Sequence, residues 1–230
     1  MTHFDFTVII PSYNREEMLK NILNDISNFK HNYNINIIIF DDGSKKVYNM
    51  ENFDVKYIRF EYNHGKQRYW EMVNHIFKYI KKIDSKYFIY LGDDMRLTEN
   101  FFSECVRLYE KIEDINKICL SIFLDEGRRG KTNWTNFTPI NFGEYYQTQW
   151  NDMCFMCEKY FFECLNYKIS EIPKTRWVNN SLLSSGVGQQ ISNRLHSLGK
   201  KMYHVNKTLV THGTHDSMMN YEERKINKLV

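Results

Sequence analysis

Two neighbouring aspartates, Asp93 and Asp94, follow the apolar run 87–91 after a single glycine. Like charges this close repel each other, so the pKa of one carboxyl group should rise unless a cation lies between them. A hard divalent cation with oxygen ligands is the usual solution, and a nucleoside diphosphate can supply its remaining ligands. The alternative is a solvated turn after a strand, and the pair alone does not decide between the two.

Two further polar clusters end apolar runs in the same way. Residues 11–14, with the sequence Pro-Ser-Tyr-Asn, follow the run 6–10, and Asp41 and Asp42 end the run 35–40. In an open α/β sheet, ligands bind outside the carboxyl ends of the strands. Three polar clusters converging on one such edge therefore predict a binding site there.

The elements that position these clusters alternate between strand and helix. Apolar and period-two runs predict strands at 6–10, 35–40, 55–62, 87–91, 118–124, 153–156, 202–205 and 209–211. Helical spacing predicts helices at 18–29, 70–80, 101–112, from 158 onward and at 189–198. Asn14 and Glu17 have the spacing of a capping box for the first helix. This alternation predicts a mostly parallel α/β sheet that is covered by helices on both faces.

Composition fits one globular domain over residues 1–230, with a sizeable core. The net charge of +3 is too weak to indicate a nucleic-acid surface by itself. The N-terminus lacks the pattern of a signal peptide, and no apolar run reaches the ~20 residues that span a bilayer. The five cysteines form no disulfide framework, so we expect a cytoplasmic protein with reduced thiols.

Four motifs in a fixed order make the pattern recognisable. They are Val-Ile-Ile-Pro-Ser-Tyr-Asn-Arg at 8–15, Ile-Phe-Asp-Asp-Gly-Ser at 39–44, Asn-His-Gly at 63–65 and Leu-Gly-Asp-Asp at 91–94. In this order and spacing the chain resembles GT-A-fold glycosyltransferases of the family 2 type. The resemblance covers about the first hundred residues and continues loosely at 194–195, 199–201 and 210–212.

The resemblance implies a single GT-A-type domain. Its half at about 1–100 would bind a nucleotide sugar, and its half at about 101–230 would face the acceptor and end in a C-terminal tail. It assigns nucleotide binding to the following residues: Pro11, Ser12, Tyr13, Arg15, Asp41, Asp42, Lys66, Arg68 and Asp93. Either Asp41 or Asp42 would accept a hydrogen bond from the base, which suits uracil or thymine.

The resemblance also implies a bound Mn²⁺ or Mg²⁺ that neutralises the leaving nucleoside diphosphate. The family motif usually begins with aspartate where this chain has Gly92. The metal site would then rely on Asp94, with Asp93 bound to the ribose or acting through water. His212 matches a late histidine that often reaches the same metal or the diphosphate.

A second departure concerns the general base. Family members usually carry Glu-Asp shortly before the late helix, where this chain reads Ser-Gly-Val-Gly-Gln-Gln at 185–190. Glutamine cannot take a proton at neutral pH. Asp152 is the first candidate for a base, Asp125 and Glu126 are next, and a solvated loop acid is the alternative for each.

The function that follows is transfer of a sugar from a nucleoside-diphosphate sugar, UDP-type, to a hydroxyl acceptor. The acceptor would be a glycan, a lipid-linked glycan or a hydroxymethylated base in DNA, and the last suits the basic loop with Arg128, Arg129, Lys131 and Trp134. Two alternatives are a non-catalytic sugar-nucleotide-binding module and a nucleotidyltransferase, although the chain lacks the Gly-rich, basic first loop of the latter. The sequence leaves the donor sugar and the oligomeric state open.

Overall fold

The computed structural model describes residues 3–123, 139–151, 153–181 and 183–212. Of residue 212 it describes only the backbone. Its α-helices are α1 (Glu16–Ser27), α2 (Gly65–Ile80), α3 (Phe101–Lys111), α4 (Lys159–Cys164) and α5 (Val187–Ser197). Its strands are β1 (Phe4–Ser12), β2 (Ile35–Asp41), β3 (Lys56–Arg59), β4 (Ser85–Tyr90), β5 (Met95–Leu97), β6 (Lys117–Ser121), β7 (Ile140–Asn141), β8 (Tyr145–Thr148), β9 (Phe155–Cys157), β10 (Lys201–Val205) and β11 (Val210–His212). A short 3₁₀ helix covers Lys174–Trp177.

Nine strands form one sheet, in the order β3-β2-β1-β4-β9-β6-β10-β8-β7. Strand β1 pairs in parallel with β2 and β4, β2 with β3, and β6 with β10. Strand β9 runs antiparallel between β4 and β6, and β8 runs antiparallel to β10 and β7. Within the described residues, all strands of this sheet except β8 and β9 therefore point the same way. Strands β5 and β11 form a separate antiparallel pair.

Helices cover both faces of the sheet, as the sequence predicts. Successive strand residues point to opposite faces, so Val8 and Ile10 pack with α1 and α3 while Ile9 packs with α2, α4 and α5. Both clusters consist mainly of buried aliphatic and aromatic side chains. The mostly parallel α/β architecture with helices on both faces is thereby confirmed.

Several local predictions differ from the structure. The sequence does not predict β5, β7 and β8, which have three, two and four residues and are too short for a periodic pattern to show. The predicted strand 55–62 is shorter, at Lys56–Arg59. The capping box is wrong: α1 has Arg15 at its N-cap, and the Asn14 side chain instead accepts the Lys45 backbone N–H at 2.8 Å. In the described part of the chain, no helix has both the length and the apolar character that a bilayer crossing requires.

Candidate functional site

The acidic pair lies just beyond the carboxyl end of β4, beside the carboxyl end of β1. Asp93 is 7% exposed and accepts hydrogen bonds from the Ser12 hydroxyl at 2.8 Å and from Arg15 Nη1 at 3.2 Å. The same Arg15 nitrogen donates to Asp94. Ser12 ends β1 and Arg15 precedes α1, so two motifs distant in sequence meet here. The cation between the two carboxylates in this structure is a guanidinium.

Burial and the neighbouring charges shift the pKa values of Asp93 and Arg15. Burial, with a smaller contribution from Asp94, raises the pKa of Asp93 to about 6, although Arg15 and the Ser12 hydroxyl act in the opposite direction. Burial lowers the pKa of Arg15, but Asp93 and Asp94 outweigh it, so the net shift is upward. The sequence predicts a raised pKa from like-charge repulsion unless a cation lies between the two carboxylates. Arg15 lies between them here, and the pKa of Asp93 rises chiefly because this residue is buried.

Gly92 gives Asp94 the room to face Arg15. An ideal Cβ atom built on Gly92 would lie 2.8 Å from Asp94 Oδ1, closer than real Cβ contacts come. Any side chain at position 92, including the aspartate usual in the family, would therefore turn the Asp94 carboxylate. The glycine and the Arg15–Asp94 ion pair belong to one local arrangement.

Asp41 and Asp42 anchor the loops around the site. Asp41 is fully buried and accepts from Ser44 N–H at 2.9 Å and Tyr57 O–H at 2.5 Å, with Arg59 Nε at 3.3 Å. A carboxylate has about four lone-pair sites, so these three donors leave Asp41 one.

Asp42 holds the turn that begins α2. It accepts backbone N–H groups of His64 at 2.9 Å and Gly65 at 3.3 Å, and the Asn63 amide at 3.1 Å. His64 Nδ1 lies 2.6 Å from Asp42 Oδ1 and completes the set of four. The Asn-His-Gly motif is therefore fixed to the end of β2 through this one carboxylate.

Tyr48 connects the acidic pair to this second cluster, and sequence reasoning missed it. Its hydroxyl lies 3.1 Å from the Ser12 hydroxyl, accepts the Arg15 backbone N–H at 3.0 Å and accepts the Ser44 hydroxyl at 2.7 Å. Burial raises the pKa of Tyr48, so the phenol stays protonated. Tyr48 lies in a loop without periodicity, and nothing local to it in the sequence indicates this role. A cavity of about 200 Å³ opens beside it, lined by Asn14, Glu16, Lys45, Lys46 and Tyr48.

The other predicted nucleotide-binding residues occupy several positions. Pro11 lies in β1 opposite Phe40, and Tyr13 follows that strand and is partly buried. Lys66, 5% exposed, donates from Nζ to the Ser181 carbonyl at 3.0 Å. Arg68 forms an ion pair with Glu71 on the surface of α2 and also donates to the Tyr62 hydroxyl. One group of side chains is thus connected by direct hydrogen bonds: Ser12, Arg15, Asp93 and Asp94. Lys66 and Arg68 bind partners on or near α2 instead.

The small sheet brings the backbone of His212 close to the chain segment that carries the acidic pair. Strand β11 pairs with β5 so that His212 lies opposite Met95, the residue after Asp94. The backbone therefore brings a potential ligand from the end of the described chain beside the acidic pair.

The chain leading into β9 packs directly against α5. Asn151 is 1% exposed and donates its backbone N–H to the Ser192 hydroxyl at 3.1 Å. A Cβ atom at Gly188 would lie 2.6 Å from the Asn151 carbonyl oxygen, so a glycine is required for this close approach. Asp152 and the loop residues Asp125, Glu126, Arg128, Arg129, Lys131 and Trp134 lie outside the described residues.

The start of α5, where the family usually has its Glu-Asp, carries neutral amides. Gln189 Oε1 accepts from Arg176 Nη1 at 3.1 Å. Gln190 Oε1 is buried without a hydrogen-bond partner among the described residues. A carboxylate that acts as a base must therefore come from another segment.

The donor set of the acidic pair suits a hard divalent cation. Asp93 and Asp94 offer carboxylate oxygens, and Mg²⁺ and Mn²⁺ are typically held by one or two carboxylates together with phosphate oxygens and water. No group of three or more metal-ligating side chains occurs in the described part of the chain. The residues present fit a metal that is shared with a diphosphate.

Residues 7–163 match the family described as glycosyl transferase family 2. The chain belongs to this family. A segment of 38 residues is 60% identical to a UDP-N-acetylglucosamine–dolichyl-phosphate N-acetylglucosaminyltransferase of Methanococcus voltae, and covers 16% of this chain and 14% of that protein.

Solved structures show the same fold. A crystal structure of S. aureus TarS 1–349 has a TM-score of 0.60 at 13% identity, over 90% of this chain and 60% of that one. A second TarS structure has a TM-score of 0.59 at 14% identity, over 91% of this chain and 36% of that one. The GT-A-type fold that the resemblance implied is confirmed, and this chain spans less than two thirds of each of these relatives.

Proposed function

We propose that this chain is a glycosyltransferase that moves a sugar from a nucleoside-diphosphate sugar to a hydroxyl acceptor. The observation that carries the proposal is the cluster of Ser12, Arg15, Asp93 and Asp94 at the carboxyl ends of β1 and β4. This is the edge at which ligands of such sheets bind, and it lies within the matched family region.

The residues of the cluster would divide the work on the donor. Ser12 and Arg15 orient Asp93, which we propose contacts the ribose directly or through water. Asp94, with His212 beside it, would hold Mn²⁺ or Mg²⁺, which when bound supplies Lewis-acid stabilisation of the leaving diphosphate. Of the remaining candidates, Pro11 and Tyr13 would line the base pocket, and Lys66 and Arg68 would contact phosphate.

For base recognition, the hydrogen-bond inventory favours Asp41 over Asp42. Asp42 already accepts four hydrogen bonds, whereas Asp41 accepts three donors and keeps one acceptor site. An acceptor there suits the imide N–H of uracil or thymine, and because the Asp41 side chain is fully buried, the base would reach it only after the surrounding side chains move. The UDP-linked donor in the name of the Methanococcus voltae relative agrees with this choice.

On the acceptor side, we propose Asp152 as the general base of an inverting reaction. It follows Asn151, which is fixed against the first turns of α5, where the family usually places its base. The second half of the chain would then face the acceptor. A glycan or lipid-linked acceptor is the first choice, and a hydroxymethylated DNA base is the second.

The cellular setting is part of the proposal. All five cysteines are free and four are buried, which fits a reducing compartment, and we propose that the protein is cytoplasmic.

The deciding experiment is a panel of nucleotide sugars assayed for binding, hydrolysis and transfer, with and without Mn²⁺. We expect binding and turnover with a uridine-linked donor, and loss of both Mn²⁺-dependent nucleotide binding and transfer in Asp94→Ala. The control is Asp54→Ala, because the Asp54 side chain is 99% exposed and forms a surface ion pair with Lys30. Equal Mn²⁺-dependent affinity for uridine diphosphate in wild type and Asp94→Ala would reject the assignment.

A binding module without transfer is the second candidate, and the neutral Gln189 and Gln190 favour it. This hypothesis would be supported if the wild type binds the donor but transfers no sugar to any glycan, lipid-linked or hydroxymethylated DNA acceptor.

A further inference from the structure

Arg15 occupies the position that a metal ion would take between the carboxylates. Its Nη1 atom donates to both Asp93 and Asp94, at the same edge where the proposed metal would bind. The three side chains are 9%, 9% and 11% exposed, so solvent screens this ion pair weakly. A guanidinium and a divalent cation cannot hold the same carboxylate oxygens at once.

Neighbouring residues hold Arg15 in this position. Its backbone N–H is bonded to the Tyr48 hydroxyl, which also bonds Ser12 and Ser44. Gly92 leaves the space that lets Asp94 turn toward the guanidinium. The backbone at Arg15 is therefore fixed, while its side chain has rotatable bonds that allow the guanidinium to leave Asp94.

We propose that Arg15 is an internal counter-ion that competes with the metal for Asp94 and is drawn off by the donor diphosphate. Without nucleotide, the guanidinium holds both carboxylates and metal affinity is low. A diphosphate offers the guanidinium a bidentate partner of higher charge, which frees Asp94 for the metal. Metal binding would thus depend on donor binding. This inference rests on the proposed metal role of Asp94.

The test is a titration with Mn²⁺ in the absence of nucleotide, for wild type and Arg15→Gln. Electron paramagnetic resonance measures the free Mn²⁺ at each step. The apparent affinity of a site falls by the fraction of molecules that are binding-competent, so removing a dominant competitor should tighten Mn²⁺ binding about 10-fold or more. Uridine diphosphate should raise Mn²⁺ affinity in wild type and raise it less in Arg15→Gln, because no counter-ion remains to be displaced.

Arg107→Gln is the matched control. Arg107 also bridges two carboxylates, Glu104 and Glu144, but at the exposed surface of α3, so this variant removes the same charge elsewhere. It should leave Mn²⁺ affinity at the wild-type value. If Arg15→Gln fails to fold, Arg15→Met also removes the charge while keeping an unbranched side chain, and it should likewise bind Mn²⁺ more tightly than wild type.

Mn²⁺ affinity in the Arg15 variant that is equal to or weaker than wild type, or an equal gain in Arg107→Gln, would overturn the inference. Because the probe is the metal alone, this result does not depend on turnover. If Mn²⁺ affinity does not rise but the wild type still transfers sugar, the inference is wrong and the proposed function stands. If Mn²⁺ binds more tightly to the variant but the wild type transfers no sugar, the inference stands and the proposed enzymatic activity is wrong.

Discussion

Asp93 should make the folded protein less stable as the pH rises, and Asp93→Asn should remove that dependence. The pKa of Asp93 is raised from 3.8 to about 6, chiefly by burial. For a carboxyl group, a raised pKa means that the folded state binds its proton more tightly than the unfolded state does. Stability is therefore lost as the pH rises from near the unfolded value to above the folded one.

The size of the effect follows from these two pKa values. Ionised Asp93 costs the fold roughly 3 kcal/mol at pH 7.5, and the corresponding cost at pH 4.5 is roughly 1 kcal/mol. Asp93→Asn also changes the contacts with Ser12 and Arg15, but that part does not vary with protonation of residue 93. Relative to wild type, the variant should therefore gain roughly 2 kcal/mol between pH 4.5 and pH 7.5.

The assay is urea unfolding of both proteins at the two pH values, in buffer with a chelator so that no metal holds the pair. Asp114→Asn is the control. Hydrogen bonds from Lys201 and Tyr203 lower the pKa of Asp114 to about 2, so its stabilisation is lost only below pH 4. This control should differ from wild type by the same amount at both pH values. A difference between wild type and Asp93→Asn that is also independent of pH would refute the reasoning.

Two further predictions concern the loops and the base. Tyr57→Phe removes a hydroxyl that donates to the buried Asp41 carboxylate at 2.5 Å, and should lower the free energy of unfolding by about 2 kcal/mol, measured by urea denaturation; a change below about 0.5 kcal/mol would contradict the anchoring role. Asp152→Asn should lower the turnover number by about 10²–10⁴-fold while donor affinity, measured by calorimetry, stays unchanged, and undiminished turnover would move the search to Asp125 and Glu126.

The sequence predicts those parts of the fold that depend on long periodic patterns. Continuous apolar runs predict β1, β2 and β4, and helical spacing predicts the helices α1, α2 and α3. The polar residues after these strands predict where the site lies. The carboxyl ends of parallel strands share an edge whatever the details of packing, so this inference needs no tertiary information.

The contacts within the site depend on loops and are not predictable in this way. Arg15 meets Asp93, and Tyr48 meets Arg15, only because separate loops fold onto one another, and neither loop has a periodic pattern. Asn14 shows the same limit: its spacing to Glu17 is that of a cap, but the nearby Lys45 backbone offers its side chain a better-placed donor. Strands as short as β5 and β7 form through pairing with a partner and leave no signal of their own.

The reversed direction of β9 changes which of its ends lies at the edge of the sheet where ligands are expected. In its two neighbours, β4 and β6, which run the opposite way, chemistry is sought in the residues that come after the strand. Strand β9 enters the sheet at Phe155, opposite Tyr90 at the end of β4, so its beginning lies at the edge where its neighbours finish. For this strand, the residues that come before it lie at the edge where we propose that the ligand binds. A mutational scan for acceptor contacts should therefore start upstream of β9, where a scan guided only by strand ends would not look.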